Sequence, residues 1–360
     1  MGKRTGVAEL PLHGGHAPRW LFARMVRLSR ALVEVIAREF GPEEFLRRLA
    51  DPYWFQAFGC VLGFDWHSSG LTTTVCGALK EALRPLAKDI GIFVCGGKAR
   101  ASRRTPQEIE DWLEACALPG SFKRLTHHSR LVAKVDNTAL QDGYQLYHHS
   151  FFFTKSGAWA VVQQGMNQSN SYARRYHWLG ERVKSFVNEP HTGIAAQKIE
   201  KEVLNLVAKE SAEVRSSILA LSKEKPDTIL KEIAKAKKLI LHKRHEITEN
   251  DLEPRGLKKV LLKTYELKPK NFEEMLALEG LGPKNLRALT LISELIYDVS
   301  ASRKDPARFS FAHGGKDGHP YPVNKPVYDQ SIAYLEEMLN QARLEYSEKA
   351  KAFRRLHRLF

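Results

Sequence analysis

The sequence predicts an α+β protein: a mixed α/β domain with a small sheet over residues 1–190, then an all-helical domain over 191–360. Two observations support this. Aromatic, extended runs at 144–154 and 158–165 flank a Lys-Ser-Gly turn at 155–157, which is typical of a β-hairpin. From about residue 196 onward, apolar residues recur at helical spacing almost throughout. The predicted junction between the two domains is Pro190–Gly193.

Before the predicted sheet, the sequence predicts mainly helices. Residues 17–40 carry an apolar stripe at helical spacing, and Pro42 begins a short helix. Asp51 caps a third helix, and residues 70–88 form a fourth. The run 90–95 predicts a short buried strand that ends at two glycines. A cap, a proline and a glutamate at 105–108 then predict a helix that begins with a capping box. Near the end of the chain, residues 327–358 predict one long basic helix.

The charge of the chain favours a polyanionic partner. It carries 56 Lys and Arg against 41 Asp and Glu, a formal net charge of +15. The excess is spread over both predicted domains, so we expect a surface that attracts nucleic acid. No apolar run is long enough to span a bilayer, and no apolar segment follows the basic N-terminus, so we expect a cytoplasmic protein without membrane association. Four widely spaced cysteines predict reduced thiols rather than a zinc site.

The most informative stretch is Leu278–Lys284, between two predicted helices over 271–298. Asn271 can cap the first helix and Pro283 opens the second. Gly280 and Gly282 permit a tight turn that leaves amide groups of the second helix available to a phosphate, with Lys284 beside them. This pattern predicts a helix-hairpin-helix that binds DNA without reading its sequence. The alternative is a tight connection with no ligand.

A candidate catalytic cluster lies in the first half of the chain. Asp136 and Asp142 could hold a divalent cation, Mg²⁺ or Mn²⁺, with an imidazole from His148 or His149. Neighbouring residues of a strand point to opposite faces, so at most one of the two histidines can face such a site. A bound cation would activate water for cleavage of nucleic acid. The alternative for Asp142 is a simple Asp-Gly turn.

A second cluster suggests direct contact with nucleic acid. Arg174 and Arg175 precede Tyr176 and Trp178, a pattern that fits phosphate contact combined with stacking on a base. The same residues would permit RNA as a partner. The alternative is a buried aromatic pair with surface arginines. A third polar run, 65–70, has helix capping as its simpler interpretation.

Several runs together resemble an uncharacterised archaeal and thermophile "domain of unknown function" family. The runs are Leu10–His13, Pro18–Leu21, Phe55–Gly70, Ala173–Trp178 and Phe311–Gly318. The resemblance implies a prokaryotic, cytoplasmic protein and supplies no activity.

Residues 271–335 partly resemble the helix-hairpin-helix DNA glycosylases. In that family an aspartate follows the hairpin in a Pro-Val-Asp run, whereas this chain has neutral Asn324 there, at a longer spacing. The nucleophilic lysine of one branch is replaced by Glu273, with Lys270 nearby but offset. The resemblance therefore implies the phosphate-binding hairpin. Its chemistry would require Lys316, Asp317 or Asp329 to act instead.

Three functions remain open from the sequence. The first is a DNA-processing or repair protein whose N-terminal domain is a metal-dependent nuclease. The second is a base-excision glycosylase around Asn324 and Asp329, which would need no metal. The third is a non-catalytic nucleic-acid binder, whose affinity would depend strongly on salt. The sequence predicts no particular oligomeric state.

Overall fold

The structure is a computed structural model that describes residues 17–64, 70–168, 172–196, 199–236, 256–307 and 325–357. Within helices, the side chains of 232–236 and 325–332 are not described. Among these described residues, no helix is both long enough and apolar enough to cross a lipid bilayer.

A five-stranded antiparallel sheet forms the centre of the fold, in the spatial order β1-β3-β4-β5-β6. Its strands are β1 (Ile92–Lys98), β3 (Gln145–Thr154), β4 (Trp159–Asn167), β5 (Tyr172–Leu179) and β6 (Gly193–Ala196). Two short strands, β2 (Leu140–Gln141) and β7 (Leu204–Asn205), pair separately. The β3–β4 register places His149 opposite Gln163, and it shifts between Leu146 and His148.

Helices precede, interrupt and follow the sheet. The first group is α1 (Arg19–Glu39), α2 (Pro42–Leu49), α3 (Pro52–Val61), α4 (Gly70–Leu83) and α5 (Ala87–Ile90). Between β1 and β2 lie α6 (Arg100–Arg103), α7 (Thr105–Ala115) and α8 (Arg124–Lys134), which continues into a π-helical turn at Val135–Ala139. After the sheet come α9 (Ala212–Leu221), α10 (Pro226–Ala236), α11 (Leu257–Leu267), α12 (Phe272–Ala277), α13 (Pro283–Tyr297), α14 (Lys325–Gln341) and α15 (Tyr346–His357).

Both faces of the sheet are covered by helices, because successive side chains of a strand point to opposite sides. On one face, Val94 and Phe152 share a core with α1–α4 and with α14 and α15. On the other face, Phe93, Phe151 and Trp178 share a core with α7, α8 and the helices from α9 to α13. The result is a three-layer arrangement in which most residues of the strands are buried, whichever side they face.

The structure confirms a mixed α/β fold with a small antiparallel sheet, and the predicted hairpin at 144–165 is the β3–β4 pair. Three details differ from the sequence prediction. The chain after residue 190 still contributes β6 and β7, so it is not wholly helical. The long helix predicted over 327–358 is two helices, α14 and α15. Glu108 closes no capping box, because its carboxylate accepts from Lys80 Nζ and the Gly96 amide instead.

Candidate functional site

A cleft of about 920 Å³ lies where α8 meets the turn between α12 and α13. Its walls come from the α6–α7 junction, from α8 and the π-helical turn after it, from the start of β3, and from residues 277–283. The cleft therefore joins parts of the chain that are far apart in sequence. It contains the predicted phosphate-binding turn and borders both predicted histidines, His148 and His149.

The turn between α12 and α13 has the backbone geometry that its glycines predict. Asn271 caps α12 through its side chain, which accepts from the Glu274 amide. Gly280 has φ of +90°, a left-handed conformation that favours glycine. Gly282 is extended, caps α13 without a side chain, and precedes Pro283 at the first position of the helix. A Cβ added at Gly280 or Gly282 would meet no atom within 4 Å, so this backbone is open to an approaching ligand.

The turn is fastened to α8 and to β2 by side chains that bind its carbonyl groups. Lys134 Nζ donates to the carbonyl oxygens of Leu278 and Leu281. Gln141 Nε2 donates to the Pro283 carbonyl at 2.9 Å. Burial lowers the pKa of Lys134, with a smaller contribution from nearby Lys263. Because these side chains occupy carbonyl oxygens of the turn, its position relative to α8 is fixed.

The cleft is lined by more positive than negative charge. Arg103 and Arg130 are exposed, and neither forms an ion pair with any residue that the structure describes. The acidic residue on the lining is Glu279, whose side chain is 97% exposed. A second cleft, of about 460 Å³ beside α1, differs because its Arg27 and Arg38 are paired with glutamates. The cleft at α8 therefore offers an anion two guanidinium groups that form no ion pair among the described residues.

The two histidines of β3 point to opposite faces of the sheet, as predicted. His149 faces α8, where its Nε2 lies 2.8 Å from Ser129 Oγ. His148 Nε2 bonds Ser150 Oγ at 3.0 Å. Of the two histidines, it is His149 that forms a side-chain hydrogen bond with α8 among the described residues.

A continuous chain of buried hydrogen bonds leads from the cleft into the core. His149 Nδ1 lies 2.6 Å from Gln163 Oε1, and Gln163 Nε2 donates to Asp136 Oδ2 at 2.5 Å. Asp136 also accepts from Trp178 Nε1 at 2.9 Å and contacts His191 Nε2 at 2.6 Å. The chain thus runs Ser129, His149, Gln163, Asp136, and it ends on a fully buried carboxylate in the π-helical turn.

The Asp136 carboxylate fixes the direction of every bond in this chain. An ionised carboxylate only accepts, so Gln163 must present its NH₂ group to Asp136 and its Oε1 to His149. His149 then carries its proton on Nδ1, and its Nε2 is an acceptor for the Ser129 hydroxyl. Burial lowers the pKa of His149 to about 4, despite raising contributions from Gln163 and Asp136. His149 is therefore neutral near pH 7, with a free lone pair aimed at Ser129.

The predicted pairing of Asp136 with Asp142 at a metal is not formed. Asp142 is buried in a different network, where it accepts from Arg174 Nη1 at 2.9 Å and from Tyr176 Oη at 2.8 Å. Asp305 binds Arg174 on the other side. Among the described residues, no group of three or more His, Cys, Asp or Glu is placed to hold a metal ion. The two carboxylates are instead held by protein donors, because each lies in the core beside buried NH or OH groups.

The prediction that Arg174 and Arg175 contact nucleic acid is also wrong in this structure. Both are buried within β5, at 0% and 2% exposure. Arg174 pairs with carboxylates, whereas Arg175 donates to Gln56 Oε1 and to the Pro52 carbonyl. Burial lowers the pKa of Arg175 to about 9. Tyr176 and Trp178 are likewise core residues, because both faces of the sheet are covered.

Other predicted positions fall partly outside the described residues. The alternative catalytic residues Lys316, Asp317 and Asn324 lie outside them, as does the polar run 65–69. Asp329 lies in α14, and its side chain is not described. Lys284 is exposed at the start of α13.

The sequence prediction missed Ser129, His191, Arg103 and Arg130. A helix with the run His-His-Ser-Arg at 127–130 gave one signal, because four consecutive polar side chains there share a helix with buried apolar residues. The strand that brings His149 to Ser129 is distant in sequence, so the pair itself could not be predicted.

Comparison with known proteins places the chain in a family. Residues 6–323 match the family described as "Protein of unknown function (DUF763)", and the chain belongs to that family. The five sequence runs that suggested a family of unknown function all lie within this match. No curated protein and no solved structure matches the chain.

The buried position of Asp142 predicts a structural role. Asp142→Asn removes one carboxylate from Arg174, so we expect the free energy of unfolding to fall by about 3 kcal/mol in chemical denaturation. Asp111→Asn, at an exposed carboxylate of α7, is the control and should change stability little. A fully stable Asp142→Asn protein would contradict this role.

The buried histidines predict that stability is lost in mild acid. Burial lowers the pKa of His149 to about 4 and of His148 to about 3, below their unfolded value of 6.5. As pH falls from about 6.5 towards these values, the unfolded chain binds protons that the folded chain excludes. Each histidine then lowers the free energy of unfolding by about 1.4 kcal/mol per pH unit.

Urea unfolding at several pH values measures this dependence. His149→Gln should reduce the slope of unfolding free energy against pH by the share of one histidine. His357→Gln, at a histidine with a 65% exposed side chain, is the control, and the change in slope for His149→Gln should exceed the change for this variant. Equal slopes for the wild type and His149→Gln would show that His149 is not buried in its neutral form.

Proposed function

We propose that this protein binds nucleic acid, with DNA as the main partner, along the cleft between α8 and the α12–α13 turn. The observation that carries the proposal is the meeting of two anion-binding features on one surface. Exposed Arg103 and Arg130 lie on one side, and the open glycine turn at the N-terminus of α13 lies on the other. Neither feature alone defines a site, but together they can neutralise successive phosphates of one strand.

The geometry favours contact with the phosphate backbone. Helix N-termini and arginines bind phosphate oxygens and carry no direct sequence information. Gly282 and Pro283 border the cleft, and exposed Lys284 follows them on α13. The net charge of +15 adds a long-range attraction for any polyanion. We therefore propose sequence-independent binding in which α12, the turn and α13 act as a helix-hairpin-helix; RNA could occupy the same surface.

Processing of DNA, as in repair, is compatible with this binding. A metal-dependent nuclease stays a prediction, and in it a Mg²⁺ or Mn²⁺ ion would have to displace the donors that now hold Asp136 and Asp142. A glycosylase likewise stays a prediction, because most of its candidate residues lie outside the described part of the chain. Binding is the function that the described geometry supports best.

Removal of the two cleft arginines tests the proposed surface. For Arg103→Gln with Arg130→Gln, we expect weaker binding to duplex and single-stranded DNA in fluorescence anisotropy. The slope of log affinity against log salt should fall by about 2, since each lost phosphate contact removes about 1. Arg84→Gln with Lys88→Gln removes the same charge beside the opposite end of β1 and is the control. If both double variants lost the same DNA affinity, the lower net charge alone would explain the loss, and the proposed surface would be excluded.

The open backbone at Gly282 permits a second test that spares the fold. Gly282 has φ of −111°, which any residue adopts, and its Cβ would meet open space. We expect Gly282→Val to stay folded, with a melting temperature only a few degrees lower, since glycine is the better N-cap, yet to lose DNA affinity. The side chain would block phosphate from the α13 amides. Gly120→Val, at another open glycine, is the control. Unchanged affinity in Gly282→Val would exclude close approach of a ligand to this turn.

A further inference from the structure

We propose that Ser129 is a catalytic nucleophile that attacks phosphodiesters bound in the cleft, with His149 as its general base. This inference rests on the proposed binding of nucleic acid for its substrate class. The hydroxyl and the imidazole form a direct hydrogen bond, and both residues border the cleft where the arginines lie. A serine, an adjacent base and a third group that orients the base form the arrangement required for nucleophilic catalysis.

The orientation of the base comes from two positioning residues. Gln163 accepts the Nδ1 proton of His149, and Asp136 fixes the amide of Gln163. This leaves Nε2 of His149 as the acceptor for the Ser129 proton. A buried serine that served packing alone could donate to a carbonyl of the preceding helical turn. Here its hydroxyl is directed to an imidazole whose protonated form is disfavoured by burial.

The proposed step balances without a metal or a redox partner. Ser129 Oγ transfers its proton to His149 Nε2 and forms a bond to phosphorus. The bond between phosphorus and one bridging oxygen breaks, and His149 gives the proton to that oxygen, which leaves as an alcohol. Water, or the same alcohol, then attacks the phosphoserine with His149 again as base and restores Ser129. Arg103 and Arg130 lie on the same cleft and can neutralise the charge that develops on the phosphoryl oxygens.

Labelling with a fluorophosphonate tests the nucleophile without nucleic acid. In the full-length protein, Ser129 Oγ should displace fluoride and form a phosphonylserine adduct, identified by peptide mass spectrometry, and Ser129→Ala should form none. His149→Asn should lower the labelling rate by about 10²–10⁴-fold, the usual contribution of a general base. Ser102→Ala removes another serine hydroxyl of the same cleft, one that donates to Ala99 O, and should label at the wild-type rate. Absence of labelling at Ser129, or equal rates with and without His149, overturns the proposal.

A separate measurement tests whether Gln163 orients the His149 imidazole. In Gln163→Met the acceptor for Nδ1 is lost. The nitrogen chemical shifts of the His149 imidazole should therefore change from those of a single tautomer to those of a mixture of both tautomers. Labelling should slow at every pH. A single unchanged tautomer in a folded Gln163→Met protein would overturn this positioning role.

DNA with a sulfur in place of one bridging oxygen tests the substrate. The leaving thiolate reverses the reaction poorly, so wild-type protein should accumulate a covalent adduct that survives denaturation, with either the 5′- or the 3′-bridging substrate. Ser129→Ala should accumulate none. Labelling by fluorophosphonate with neither a DNA adduct nor a released thiol overturns the phosphodiester substrate. The anisotropy measurements above show separately whether DNA binds at all, so failure of binding is distinguishable from failure of chemistry.

Discussion

The carboxylate of Asp136 is the group on which the arrangement of the site depends. It is fully buried, and its charge is offset by hydrogen bonds from Gln163, Trp178 and His191. A buried carboxylate without such donors would cost several kcal/mol. The three donors come from β4, β5 and the loop before β6, so the sheet must form before the charge can be accommodated. The carboxylate also orients the Gln163 amide, so that Gln163 Oε1 accepts from His149 Nδ1. This leaves His149 Nε2 facing Ser129.

The π-helical turn explains how Asp136 reaches this position. It follows α8 directly and places Asp136 in the core, while Asn137 and Thr138 border the cleft. Local widening of a helix of this kind is often found at functional sites. In this protein the turn joins the helix that carries Ser129 to the strand pair β2–β7. The same short segment therefore borders the cleft through Asn137 and Thr138 and enters the buried network through Asp136.

Local patterns were sufficient to predict most elements but not the partners of polar residues. The cap at Asp51, the turn at 155–157 and the glycine turn at 280–282 depend on neighbours in sequence, and each is found as predicted. The roles of Asp142, Arg174 and Arg175 depend on residues such as Asp305 and Gln56, which are far away in sequence. A carboxylate beside a glycine has the same local pattern whether it binds a metal or an arginine. For this reason the sequence could predict the glycine turn at 280–282 but not the chain of hydrogen bonds from Ser129 to Asp136.

Lys134 connects the α12–α13 turn to α8. Its ammonium group holds two carbonyls of the α12–α13 turn, and its own helix carries Ser129 little more than one turn earlier. One side chain therefore joins the proposed binding turn directly to the helix that carries the proposed nucleophile. If a strand binds as proposed, Lys134 would transmit a displacement of the turn to α8.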